Sequence, residues 1–168
     1  MVIKKQRNKI TIINYYIMKD SRENVEEKLV NLTERIKRNR DFAFISKLQE
    51  EFPQSEVFLV GGVSRDQIIS RKLKDFDFVI RNVSPEKLRN FLSKRGWVGL
   101  VGRSFGVYKF IPKGSKLEEA IDIALPRTEI STGGGYRDFE VQSDPTLSIE
   151  EDLSRRDFTM NAMALDMK

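Results

Sequence analysis

The sequence predicts an α/β (α+β) fold, a mixed sheet with helices packed on it and a helical extension in front. Helical and strand-like apolar periods alternate along the chain instead of clustering in separate halves. The strand-like runs are short: VFLV at 57–60, FDFVI at 76–80 and AIDIALP at 120–126. A composition of 33% charged and 39% hydrophobic residues over 168 positions suits one folded domain with a real core.

The first forty residues lack Gly and Pro and carry a dense set of cations, from Lys4, Lys5, Arg7 and Lys9 to Arg35, Lys37, Arg38 and Arg40. Residues 20–40 read as a helix, capped by Asp20 with Glu23 at the capping-box position and striped by Val25, Leu29, Leu32 and Ile36. Residues 41–53 continue as a second helix with Phe44, Ile45, Leu48 and Phe52 inward and Pro53 as the stop. VFLV is a buried strand ending at Gly61-Gly62. A helix is expected after that turn, beginning near Arg65, and FDFVI is the next strand. Ser84, Pro85 and Gly96 bracket a helix as cap, first turn and terminator. WVGLVG, GVYKFIP and AIDIALP are three further strands. Residues 127–141 are expected as a long loop, because Gly133, Gly134 and Gly135 suit neither helix nor strand. Ser148 and Glu151 form the capping box of a last helix, and MALDMK reads as the first strand of a hairpin whose partner lies outside the chain.

Composition narrows the chemistry. Without cysteine there are no disulfides, thiolate metal sites or Cys nucleophiles, and without histidine no Ser-His-Asp triad or His-ligated zinc. No apolar run is long enough to span a membrane and no signal peptide is visible, so a cytoplasmic setting without a membrane partner is expected. The net charge of +5 favours a polyanionic partner, nucleic acid above all. Catalysis must rest on carboxylates, Lys, Arg and bound metal.

Asp75 and Asp77 intrude on an otherwise apolar strand, and period-two geometry aims both to one face with Phe76 and Phe78 packed behind. Asp122 intrudes likewise between Ile121 and Ile123. Three carboxylates on adjacent strands make an oxygen-only set suited to Mg²⁺ or Mn²⁺. Two such ions about 3.5–4 Å apart can activate an attacking hydroxyl and stabilise a leaving pyrophosphate. Alone, the pair Asp75/Asp77 is more often merely two surface aspartates near a strand end. Gly61-Gly62 after a strand lets backbone approach a phosphate, though neither the GxxxxGK[ST] nor the GxGxxG spacing occurs. Alone it is a tight turn. Arg155 and Arg156 suit a triphosphate, and Asp157 and Asn161 a ribose hydroxyl. Alone, these read as a solvated helix end.

Together LVGGVSRD, KDFDFV, DIALPRTE and EEDLSRRDFTMNAMA, over residues 52–166, resemble the bacterial-type (class II) tRNA nucleotidyltransferases and their relatives, the bacterial poly(A) polymerases. The resemblance implies a polymerase-β-like nucleotidyltransferase fold, with residues 1–40 as a basic extension and 41–168 as the head. It implies CMP and AMP transfer from CTP and ATP to a tRNA 3′ end, with Mg²⁺ or Mn²⁺ held by Asp75 and Asp77 and Asp122 as third carboxylate. Gly61, Gly62, Arg65 and Asp66 match the motif that holds triphosphate and braces the site. Arg155, Arg156, Asp157 and Asn161 match the segment on triphosphate and ribose, and Arg127 and Glu129 open the family's flexible loop. Ser64 stands where the family usually has an aliphatic residue. The neck, body and tail that select the base and grip tRNA have no counterpart here, so a separate chain or missing segment is an expected partner. A poly(A)-adding head and a non-catalytic nucleotide- or RNA-binding module are the alternatives.

Overall fold

The computed structural model describes residues 10–11, 19–101, 107–131, 139–156, 158 and 161–168. In chain order the elements are β1 (Ile10–Thr11), α1 (Lys19–Arg38), a 3-10 turn (Arg40–Phe42), α2 (Phe44–Glu51), β2 (Glu56–Val60), α3 (Gly62–Ile68), β3 (Asp77–Arg81) and α4 (Pro85–Ser93). There follow β4 (Gly96–Val101), β5 (Val107–Pro112), β6 (Ile121–Ala124), β7 (Arg127–Ser131), β8 (Phe139–Ser143), α5 (Ile149–Ser154) and β9 (Ala164–Asp166). Seven strands form one mixed sheet in the order β1-β9-β2-β3-β6-β5-β4, and β7 and β8 form a separate antiparallel pair. Among the described strands only β3 and β6 pair in parallel.

The sheet separates two apolar layers. On one face Phe78, Ile80, Phe110, Ile121 and Ile123 pack against α1, α2 and α4 through Leu29, Leu32, Leu48, Leu88 and Phe91. Phe44 meets Phe78 and Phe110 edge-on, with ring centroids 5.9 and 5.2 Å apart. On the other face Phe58, Val60, Val79 and Ala164 receive Ile149 and Leu153 of α5. Asp77 and Asp122 belong to that second face, since side chains alternate along a strand.

The stripe predicted for α1 is real: Val25, Leu29, Leu32 and Ile36 are all buried. Its cap is not as predicted, because the helix starts at Lys19 and Asp20 lies within it. Residues 41–53 divide into a 3-10 turn and a shorter helix, since the Asn39 side chain accepts from Asp41 N–H and caps that turn. The helix after Gly61-Gly62 begins at Gly62 rather than near Arg65. Residues 127–141 are not loop throughout. Arg127–Ser131 pairs with Phe139–Ser143 as a hairpin built from β-forming Thr, Ile, Phe and Val, and the three glycines lie outside the described residues. MALDMK finds its partner inside the chain, because β9 lies antiparallel between β1 and β2.

Candidate active site

Gly61 ends β2 with φ +78°, a conformation that side-chain-bearing residues avoid. A Cβ there would stand 2.8 Å from Asp77 Oδ2. The first glycine of the pair therefore lets a carboxylate lie on the backbone turn. A Cβ on Gly62 would stand 2.9 Å from Arg65 Nη2, so that guanidinium is laid back over the same turn. α3, which follows, is fixed from outside: Lys28 Nζ donates to Ile68 O at 2.8 Å and Gln67 Nε2 donates to Lys28 O at 3.2 Å, satisfying groups at the helix end.

Asp77 and Asp122 are direct register partners on the parallel strands β3 and β6, with Lys109 of β5 opposite Asp122. Lys109 Nζ stands 2.6 Å from Asp122 Oδ1 and donates to Oδ2 at 2.8 Å. That bond to Asp122 is the main reason the Lys109 pKa is raised. Among the described residues Asp77 has no such partner. Burial, then the charge of Asp122, push its pKa up from 3.8 to about 6, with Asp75 adding to the rise and Arg156 and Lys109 opposing it. A carboxylate that holds its proton this tightly beside a second carboxylate is short of positive charge.

Asp75 departs from the predicted geometry. It precedes β3 and has φ +56°, so period-two alternation does not set its direction. The side chain of Glu119 hydrogen-bonds to it, which raises the Glu119 pKa. Phe76 packs behind as expected, with its ring 4.8 Å from that of Phe42. Among the described residues no three acidic side chains are gathered into a ready-made metal cluster. The donor set fits a hard cation all the same: two adjacent, register-paired carboxylates, one of them starved of positive charge, with Asp75 next to them.

On the β2 side of Asp77 the cations are held in place. Arg65 donates through Nε to Asp66 Oδ1 at 2.9 Å and through Nη1 to Asn161 Oδ1 at 2.8 Å. This ties α3 to the C-terminal segment, and it leaves the amide nitrogen of Asn161 and one lone pair of its Oδ1 for a ribose. Arg155 and Arg156 converge on Asp152, which is fully buried: Arg155 Nη2 lies 2.9 Å from Oδ1 and Arg156 Nη2 3.5 Å from Oδ2. Asp152 Oδ1 also accepts from the Arg127 backbone N–H at 3.2 Å, linking α5 to β7. Glu129 continues β7, and Asp157 lies outside the described residues. The capping box of α5 forms as expected, with Glu151 N–H donating to Ser148 Oγ at 3.2 Å and Ser148 N–H donating to Glu151 Oε2 at 2.9 Å. Asp152 lies within the fourth motif without being among its expected ligand contacts, and Lys109 lies outside all four. The spacing of Asp152 to Arg155 and Arg156 at i+3 and i+4 is the clue that identifies the first.

A mixed sheet with paired carboxylates, a glycine turn beneath one of them and anchored arginines beside it defines a nucleotidyltransferase-type head. Residues 57–168 match the model of the poly A polymerase head domain, and the chain belongs to that family. It is 40% identical over 111 residues to the Multifunctional CCA protein of Stenotrophomonas maltophilia (strain K279a), covering 66% of this chain and 25% of that one. Among solved structures it resembles the CCA-adding enzyme of Bacillus stearothermophilus in complex with CTP, with a TM-score of 0.55, 29% identity and coverage of 74% of this chain and 26% of that one. It also resembles the Thermotoga maritima CCA-adding enzyme complexed with tRNA, with a TM-score of 0.52, 25% identity and coverage of 86% and 29%. The chain thus spans about a quarter of the length of these relatives. Among the described residues no helix is long and apolar enough to cross a membrane.

Proposed function

We propose that this chain is the head of a template-independent RNA nucleotidyltransferase, adding CMP and AMP from CTP and ATP to the 3′ end of tRNA. In this reading residues 41–168 form the catalytic head, with α1 packed against it. The neck, body and tail functions come from a separate chain or segment. The carrying observation is Asp77 lying over Gly61, beside Asp122 on one flank and the Asp152-held arginines on the other. The relatives solved with CTP and with tRNA support the choice of substrates.

In the reaction a 3′-hydroxyl oxygen bonds to the α-phosphorus of the nucleotide. The bond from that phosphorus to the bridging oxygen breaks, pyrophosphate leaves, and the hydroxyl proton passes to solvent. Arg155 and Arg156, steadied by Asp152, meet the triphosphate, and the Asn161 amide nitrogen and Asp157 meet the ribose. Arg65 and Asp66 brace this flank, while Gly61 and Gly62 let backbone and carboxylate approach closely. Asp75, Asp77 and Asp122 would hold Mg²⁺ or Mn²⁺, with Lys109 releasing Asp122 and Glu119 releasing Asp75. When bound, the metal would supply charge neutralisation at the leaving pyrophosphate and a lowered pKa at the attacking hydroxyl. Arg127 and Glu129 open the segment that adjusts between the two nucleotides. Labelled CTP and ATP supplied with Mg²⁺ to a tRNA lacking its terminal CCA test the reading. Incorporation lost in Asp75→Ala and Asp77→Ala is expected. A folded, nucleotide-binding chain that transfers nothing would reduce the site to a binding module.

A further inference from the structure

The row of register partners that crosses the site does not end at Lys109. Asp77 pairs with Asp122, Asp122 with Lys109 and Lys109 with Gly99 on the edge strand β4. Trp97 lies two residues before Gly99 and so shares its face, with Ile111 directly opposite. A Cβ added to Gly99 would stand 2.5 Å from Trp97 Cη2 and 3.1 Å from Cζ2 and Cζ3. The six-membered ring of the indole is therefore laid across the bare backbone of Gly99. Trp97 is nonetheless 59% exposed. One side of the ring is backed by the strand, and Val101 and Ile111 extend the exposed apolar surface around it.

We propose that Trp97, seated on Gly99, is a stacking platform for a nucleobase of the acceptor RNA, close to its 3′ end. The inference rests on the nucleotidyl-transfer reading and deepens it. The arginines that suit a triphosphate lie on the β2, α3 and α5 side of Asp77, and the platform lies on the opposite side, beyond Asp122 and Lys109. In-line displacement places the attacking oxygen and the departing pyrophosphate on opposite sides of the reacting phosphorus. A triphosphate on the arginine flank thus leaves the Lys109–Trp97 flank to the attacking strand. Gly99 is two inter-strand steps from Asp122 and three from Asp77, about 10 and about 14 Å at roughly 4.8 Å per step. A base stacked there belongs to a nucleotide just upstream of the reacting one. Stacking on an aromatic face tolerates any base, which suits an end whose sequence changes as it grows. The net charge of +5 favours the same polyanion.

Trp97 is the single tryptophan of the chain, so its fluorescence reports on the platform directly. A short RNA hairpin ending in a single-stranded CC tail, titrated into the full 168-residue chain, is expected to quench it saturably; CTP with Mg²⁺ alone is expected to leave it unchanged. Trp97→Leu keeps the apolar character and should weaken hairpin binding about five- to tenfold. It should raise KM for RNA by a similar factor and leave KM for CTP unaltered. Gly99→Val, which displaces the indole, should do the same while a thermal melt stays cooperative, and Trp97→Phe should restore most of the affinity. Nucleotide transfer and RNA binding that persist unchanged in Trp97→Leu, or quenching by CTP alone, overturn the platform and leave the functional reading intact. A parent chain that binds CTP but neither binds nor extends RNA overturns both.

Discussion

Replacing Asp77 by Asn is expected to stabilise the metal-free protein. The Asp77 pKa is raised from 3.8 to about 6, first by burial and then by the neighbouring Asp122 charge. A carboxyl with a raised folded-state pKa is neutral in both states below about pH 4. Between about pH 4 and 6 the unfolded chain releases its proton while the folded chain keeps it, so stability falls as pH rises. Above about pH 6 both states are ionised and the penalty is constant. At about 1.4 kcal/mol per pH unit, the gap between 3.8 and about 6 corresponds to about 3 kcal/mol. Asn occupies nearly the same volume over Gly61 but must satisfy a buried amide, so a net gain of about 1–3 kcal/mol is expected at pH 7.5. For a chain of this size that is roughly a 3–8 °C rise in Tm. Thermal melts of parent and variant in EDTA, from pH 3.5 to 8, measure it. The two should converge at pH 3.5, separate between pH 4 and 6, and run parallel above. Mg²⁺ should raise the Tm of the parent more than that of the variant. A variant less stable than the parent at pH 7.5, or a difference independent of pH, would refute the reasoning.

Asp152→Ala should lower stability by about 1.5–3 kcal/mol, because it removes a fully buried carboxylate that accepts from Arg155 and the Arg127 N–H and pairs with Arg156; urea melts measure it. In any folded fraction KM for the nucleotide should rise more than kcat falls. Gly61→Ala combines a positive φ with a 2.8 Å approach to Asp77 Oδ2, so a loss of about 1–3 kcal/mol and a loss of transfer at least tenfold are expected from melts and single-turnover assays. Lys109→Met removes a charge that lowers the Asp77 pKa, so the acid limb of the pH–rate profile should move to higher pH; an unmoved limb would mean that Asp77 does not govern it.

The elements with strong local signals were legible. The α1 stripe, Ser84 with Pro85 ahead of α4, and the Ser148–Glu151 box all depend on residues three or four apart or closer, and each forms as read. The mixed sheet was legible as a class, but its strand order was not. β9 pairs with β2 across about a hundred residues of sequence, and no local pattern encodes such a partner. The β7–β8 hairpin was hidden because three glycines drew attention away from the β-branched and aromatic residues flanking them. In the site, Asp77 and Asp122 were readable as charges intruding on apolar runs. Lys109 was not, because a lysine alternating with Tyr108 and Phe110 is what any half-wet strand shows. Its meaning comes only from Asp122, on the next strand in sequence and adjacent in space.

Backbone departures in the structure separate into two kinds, and the separation locates the site without reference to any motif. Besides Gly61 and Gly114, positive φ occurs among the described residues at Ser70, Asp75 and Asn82. Asn82 is a turn residue whose groups are locally satisfied: its side chain donates to Gln54 O at 3.1 Å and its N–H to Pro145 O at 2.8 Å. Ser70 follows the end of α3, and its hydroxyl accepts from Lys28 Nζ at 3.2 Å. Such positions are ordinary chain punctuation. Gly61 and Asp75 differ because both bear on one side chain. Gly61 carries the Asp77 carboxylate on its bare Cα, and Asp75 adds a like charge that raises the Asp77 pKa further. Chain connectivity does not require two unusual backbone conformations and two like charges around a half-buried carboxylate. Selection for stability alone would replace Asp77 with a neutral residue, and the other two constraints would then relax. Their coincidence at one side chain is accounted for by a ligand that brings positive charge to Asp77.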